Sequence, residues 1–328
     1  MLNLSLATWD HDRAMALHDG RVGVEGAALD GTILPTGKLF PIAVQEARFD
    51  VTELSLSSYM LQLSQGASAY TAIPVFLSRM FRHNGFYGRT DSDVQSPADL
   101  AGRRVGVPEY QMTAGLWMRG ILADEYGVDP ATIHWRTGAL DAGVRRERLT
   151  LDLPEGMVVE PIAEGQTLQD LLLAGEIDGL LAPKPPTAFV EGDPRIRRLV
   201  DDPETAERVW HARTGFFPIM HLVALRRSLA EEHPWLPHAL FDAFVRARDL
   251  ALERLNEIWL GSANRLSLPW FGPAMERAHA AFGDDLWSYG VTDNRAELDT
   301  LCRYSHDQHL ATRRLQVDEL FHPSVLAT

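Results

Sequence analysis

Short apolar runs alternate with longer stretches of helical spacing along most of this chain, and polar loops separate them. Leu2 to Ala7 alternates apolar and polar residues and predicts a first strand. Asp50 to Leu54 and Ala72 to Phe76 predict two more, with a helix between them that Ser57 or Ser58 would cap and Gly66 would end. The clearest unit is Arg103 to Tyr126. Val105 and Val107 form a β-branched segment that stops at Pro108, and Leu116, Trp117, Ile121 and Leu122 then recur at helical spacing. Thr113 is the expected N-cap and Gly127 the expected stop. Ser96-Pro97-Ala98-Asp99 has capping-box spacing with proline at the first helical position.

Further along, Ile133 to Arg136, Ile177 to Leu181 and Phe216 to Arg226 read as strands, and Thr167 to Ala174 as a helix. His238 to Leu255 predicts a long helix with Leu240, Phe244, Ala247, Ala251 and Leu255 on one face. Helical patterns near Ala274 to Phe282 and Asn294 to Gln308 complete the chain. Strands alternating with helices predict α/β layers with largely parallel sheets. The expected arrangement is two lobes, a discontinuous first lobe of about residues 1–88 and 216–328 and a second of about 89–215. Loops at strand C-terminal ends should face the cleft between them.

Composition adds exclusions. The 328 residues are 45% apolar and 23% charged, ordinary for a globular protein, and carry a formal charge of −14. That charge, with no Lys/Arg-rich block, argues against nucleic acid as a partner. An acidic protein with an anionic ligand must gather its cations locally, so the placement of Arg and Lys is informative. Cys302 alone rules out an internal disulfide framework. No basic n-region precedes an apolar stretch at the start, and no apolar run reaches the roughly 18 residues of a membrane span. The expectation is a cytoplasmic protein without a membrane partner.

Several predicted strand-end loops carry groups suited to a small aromatic acid: Asp12 and Arg13, Glu53 to Ser58, Arg79 to His83, Tyr110 to Thr113, Lys184, and His221. Arginine offers a carboxylate a planar fork, lysine a mobile point charge. The tract Arg145-Arg146-Glu147-Arg148 reads as a solvated charge run, and His306 and His309 as an exposed helix face. No Walker motif, G-x-S-x-G or H-E-x-x-H occurs.

Asp50-Val51-Thr52-Glu53-Leu54-Ser55-Leu56-Ser57-Ser58-Tyr59, Ala72 to Phe76 with Phe81-Arg82-His83, and Gly106 to Thr113 together resemble the 4,5-dihydroxyphthalate decarboxylases. So do Arg119 to Val128, Phe217-Pro218-Ile219-Met220-His221 and His233-Pro234-Trp235. The resemblance is specific through about residue 250 and looser beyond. It implies a type II periplasmic-binding-protein fold used by a cytoplasmic enzyme that releases CO2 from a dihydroxylated phthalate to give protocatechuate. Two departures stand out: His11 where the family usually has tyrosine, and Pro183-Lys184-Pro185-Pro186 where it tends to have Ala-Arg-Ala-Pro.

Given that resemblance, Arg13, Arg82, Lys184 and the helix start Gln111-Met112-Thr113 are the expected anion holders, with Ser57, Ser58, Arg79 and Tyr110 also facing substrate. His83, His221 and Glu53 are the acid–base candidates, their roles undivided. No cofactor is expected, although a divalent metal chelated by the catechol would do similar electronic work. A homo-oligomer is compatible with the chain. The competing reading is a solute-binding protein or sensor of the same fold, with no chemistry.

Overall fold

A computed structural model describes residues 1–328. Its strands, joined by helices, form two mixed sheets. The first has the order β2-β1-β3-β11-β4, built from β1 (Leu2–Thr8), β2 (Ala27–Ile33), β3 (Val51–Ser55), β4 (Tyr70–Arg79) and, from far along the chain, β11 (Ile219–Arg226). The second has the order β10-β5-β9-β6-β7-β8. It comprises β5 (Phe86–Arg89), β6 (Arg104–Val107), β7 (His134–Thr137), β8 (Val159–Pro161), β9 (Gly179–Leu181) and β10 (Ile196–Arg198).

Parallel pairing dominates where helices intervene: β1 with β2 and β3, and β6 with β7 and β9. The antiparallel strands come at the crossings. β5 is the first strand after the chain leaves one sheet, and β11 is the strand that returns. Neither needs the covering crossover helix that parallel pairing demands. β5 also moves the first crossing: it pairs in the second sheet from Phe86, a little before residue 88.

Most expected elements occur with shifted ends. The long helix spans Leu236–Trp259 and the last one Arg295–Asp307. Ser96 and Asp99 form the capping box, and Gly127 ends its helix at φ 66°. Thr113 is not the N-cap of the helix Thr113–Tyr126, because Met112 holds that position. Ser57 and Ser58 fall in the first turn of the helix Leu56–Ser64. The strand Ala27–Ile33 and the helices Thr36–Glu46 and Pro203–Thr214 have no counterpart in the sequence reading. The first is an exposed edge strand and the third is mostly polar, so neither has a clear apolar period; the second has one, in Leu39, Phe40, Ala43 and Val44, but Pro41 in its middle argues against a helix.

One contiguous apolar core runs through both sheets, taking in Leu4, Val75 and Val223 from the first, Val105 and Trp135 from the second, and Trp117 from the helix Thr113–Tyr126. The Trp117 indole N–H donates to the Ile219 carbonyl at 2.9 Å, tying the second sheet's helix to β11. Gly120 makes the docking of the C-terminal helix feasible: a Cβ there would lie 2.1 Å from the Tyr304 ring. No helix is long and apolar enough to cross a membrane.

Candidate active site

β1 and β3 are parallel, so their C-terminal ends meet at one edge of the first sheet; β11, antiparallel, brings its N-terminal end to the same edge. Three side chains converge there. Glu53, fully buried on β3, accepts the Trp9 backbone N–H at Oε2, 2.8 Å away. Its Oε1 lies 2.9 Å from His11 Nε2, just past β1, and 2.7 Å from His221 Nδ1 on β11. These partners are 42 and 168 residues from Glu53 along the chain.

Tautomers follow from the neighbours. The Arg13 guanidinium, which can only donate, lies 3.2 Å from His11 Nδ1, so that nitrogen accepts and the proton sits on Nε2, aimed at Glu53. His221 likewise gives its Nδ1–H to Glu53. Its Nε2 makes no hydrogen bond within the protein, and the side chain keeps 18% exposure. Burial works to raise the Glu53 carboxyl, but hydrogen bonds from both imidazoles more than offset it and hold it below the usual carboxylate range. Burial lowers the His221 imidazole against the pull of Glu53. At rest the cluster therefore holds an ionised Glu53 against an imidazole, His221, that burial keeps neutral.

The three ligand atoms lie within 4.8 Å of one another, close enough for a divalent ion. A metal-bound histidine normally donates its other ring N–H outward. His11 receives a donor there instead, and a metal at Nε2 would leave both its nitrogens without a proton. The donor set fits a hydrogen-bonded cluster better than a metal centre.

Arg82 is a second arginine whose charge bears on this corner. It is buried, its Nη1 donates to the Pro183 carbonyl at 3.0 Å, and its Nε has no partner. Burial pushes the guanidinium down to about 10, and its charge is felt at His221. Where the helix Leu56–Ser64 meets the helix Thr113–Tyr126, Thr113 Oγ1 lies 3.0 Å from Ser55 Oγ and accepts the Ser57 N–H at 3.1 Å. Ser57 Oγ donates to the Gln111 carbonyl at 2.6 Å. Thr113 thus latches the two sheets rather than capping its helix. The Ser58 hydroxyl is buried without a partner, and Met112 is buried as the N-cap of the helix Thr113–Tyr126.

Other residues read from sequence as site groups are turned elsewhere. Arg79 is buried against Glu297 and Asn294 and donates to the carbonyls of Phe217 and Ser288, which leaves its guanidinium little to offer a substrate. Arg13 donates to the Leu77 carbonyl and Asp12, stacks 3.7 Å over Trp287 and fixes His11, so it positions rather than holds an anion. Lys184 is 62% exposed and pairs with Asp141 at 3.1 Å; its turn contributes the Pro183 carbonyl instead. The Tyr110 ring lies under Arg119 in the core. His83 packs on Trp210, with burial pushing it down to about 4, and no hydrogen bond joins it to Glu53 or His221.

Two groups escaped the sequence reading. His11 is noticed there only as a departure from a family pattern, although a polar residue just past a strand's C-terminal end is itself a signal. The tract Arg145–Arg148 is solvated only in its first half: Arg145 and Arg146 are exposed, whereas Glu147 and Arg148 turn inward. Glu109 takes Arg148 Nε at 2.6 Å and Arg145 Nε at 2.5 Å, and half-buried Glu147 accepts the backbone N–H groups of Tyr110 and Gln111.

The chain is 42% identical over 325 residues to a 4,5-dihydroxyphthalate decarboxylase of Comamonas testosteroni, spanning 99% of this chain and 98% of that one. It is 39% identical over 215 residues to a 4,5-dihydroxyphthalate decarboxylase of Pseudomonas putida, spanning 66% and 83%. Among solved structures, the periplasmic aliphatic sulphonate binding protein SsuA from Escherichia coli superposes with a TM-score of 0.55 at 12% identity, over 98% of this chain and 92% of that one. The alkanesulfonate-binding protein SsuA from Xanthomonas axonopodis pv. citri, bound to MOPS, gives 0.52 at 12% over 98% of each. These structural likenesses concern the fold alone. No family model matches the chain.

Proposed function

The chain belongs to the 4,5-dihydroxyphthalate decarboxylase family, and from that premise we propose that it turns 4,5-dihydroxyphthalate into protocatechuate and CO2 at the Glu53–His221 corner. The observation that carries the site is the sharing of Glu53 Oε1 by two imidazole N–H groups, which leaves His221 Nε2 open. Glu53 thereby orients His221 and stabilises its cation, as the carboxylate does in a hydrolase triad.

Each carboxylate of the substrate has a hydroxyl para to it. As that hydroxyl loses its proton to the medium, its electrons reach the ring carbon bearing the leaving carboxylate. His221 Nε2 delivers a proton to that carbon. The C–C bond then breaks, its electron pair returns to the ring, CO2 departs, and the oxygen regains a proton. His221 is reloaded from solvent, so each turnover consumes one proton. Burial favours neutral His221 at rest, whereas an arriving dianion favours its protonated form. Arg82 is the fixed cation for the reacting carboxylate.

We take the discontinuous lobe and the inserted lobe as the two walls of the cleft, since each sheet draws its strands from one of these chain sets. We also read the protein as a cytoplasmic enzyme of phthalate breakdown. Support comes from relatives that carry an enzyme's name, against binding-protein neighbours that share only 12% identity. Incubation with 4,5-dihydroxyphthalate should release CO2 and protocatechuate in equal amounts. Tight binding without CO2 release would return the protein to the solute-binding or sensor class.

A further inference from the structure

A vicinal dicarboxylate that loses one carboxylate keeps the other, charged, through the whole reaction. A second cation placed across the site from the acid–base group would grip that retained group and set selectivity for diacids over monoacids. We propose that Arg148 is this cation, and that it forms a subsite for the retained carboxylate; the assignment of the retained group rests on the decarboxylase reading above.

Arg148 lies in the irregular loop between β7 and β8, yet its side chain is only 7% exposed. The loop is pinned from two sides. Glu147 takes the Tyr110 and Gln111 backbone N–H groups, and Glu109 takes both Arg145 and Arg148. Glu109 divides its two oxygens between two guanidinium groups, one contact to each Nε, and so leaves the outer nitrogens of Arg148 unused. Arg148 Nη1 is buried and has no partner. An unpaired buried donor of this kind is costly, and a ligand oxygen would satisfy it.

Position agrees with the role. The Arg148 guanidinium sits 5.4 Å from the centre of the Phe40 ring, and the same ring packs edge-on against His221 at 4.8 Å. Phe40 thus links a proton-handling imidazole to a cation through one apolar ring, against whose edge a benzenoid diacid could lie. Gln111, also buried, supplies a second unfilled group: its amide lies beside Glu147, but neither amide atom reaches hydrogen-bond geometry with any partner. A cavity of about 700 Å³ opens under the loop. It reaches Arg148 but none of Glu53, His11 or His221, so Arg148 lines this space and also faces Phe40 beside the catalytic corner.

Phthalate and benzoate, which lack the para hydroxyl and do not react, separate binding from chemistry. By titration calorimetry, Arg148→Met should weaken phthalate roughly 10- to 100-fold and benzoate less than about threefold, the loss of a charged, forked contact. Arg145→Met removes the other partner of Glu109 and is expected to change both by less than about threefold. Should Arg148→Met fail to fold, Arg148→Lys keeps the Glu109 pair without the fork and should still lose phthalate roughly tenfold. Equal weakening of both ligands by the Arg148 variants, or no change in either, would overturn the subsite. A wild type that discriminates phthalate through Arg148 but releases no CO2 from 4,5-dihydroxyphthalate would instead remove the decarboxylase reading and leave the subsite standing.

Discussion

Two fully buried carboxylates flank the start of β11, and they behave in opposite ways. Glu53, on the cleft side, is held below the usual carboxylate range by two imidazoles, although burial acts to raise it. Glu297, on the far side, is pushed up to about 7 by burial, with Arg79 pulling the other way. Both hold the strand in place. Glu297 accepts the N–H groups of Ile219 at 2.7 Å and Phe217 at 3.1 Å, and Glu53 accepts from His221. What differs is the donor. Backbone amides and a guanidinium cannot give up their protons, so the Glu297 side is a clamp. Imidazoles can, so the Glu53 side can do acid–base work.

The sharpest test of that contrast is kinetic. His221→Asn and Glu53→Gln should each lower kcat by roughly two to four orders of magnitude, the usual contribution of general acid–base catalysis. Glu297→Gln, followed in the same CO2 assay, should stay within a few-fold of wild type, as should His83→Asn. Comparable losses on both sides of β11 would erase the distinction. Next in size, Arg82→Ala should raise KM for the dicarboxylate roughly ten- to a hundredfold with a smaller change in kcat, the effect of losing a charged hydrogen bond. Unchanged kinetics would reduce Arg82 to a structural group.

Stability sharpens the comparison from the other side. With its folded-state value raised, Glu297 keeps a proton in the native protein that the unfolded chain has released. Its contribution is therefore complete below the ordinary carboxylate range and is lost as pH rises towards about 7. Wild type should lose about 1.4 kcal/mol per pH unit relative to Glu297→Gln across that window, read from urea melts. Parallel pH curves would mean that Glu297 is ionised throughout. The smallest effect expected is Gly120→Ala. Alanine suits a helix better, yet its methyl would strike the Tyr304 ring, so unfolding should become easier by about 1–3 kcal/mol rather than harder. A stabilised variant would show that the C-terminal helix can shift freely.

The layered fold and the strand-end location of the chemistry are legible in sequence because hydrophobic period and strand-end loops are local signals. Glu53 and His221 carry such signals, each lying on or beside an apolar strand. That His11 and His221 share one Glu53 oxygen is not local, since it depends on β1, β3 and β11 lying side by side. The settings of Arg79 and Arg148 are illegible in sequence for a common reason. A charged residue's burial depends on partners far away, 218 residues in the case of Arg79 with Glu297 and 39 in that of Arg148 with Glu109. An arginine in an apolar strand therefore resembles a ligand holder, and one in a charge cluster resembles a solvated residue, until the partner is located.

The return of β11 to the first sheet also sets a schedule for the nascent chain. Glu53 leaves the ribosome 168 residues ahead of His221, an interval of roughly 10–30 s at ordinary rates of synthesis. During that time β3 lacks its neighbour, and a carboxylate destined for the interior must stay hydrated. The first sheet thus has to wait half-built while the second is completed. A chain interrupted anywhere before Ile219 carries an open strand edge, which makes unfinished copies readily distinguishable to chaperones and proteases from finished enzyme.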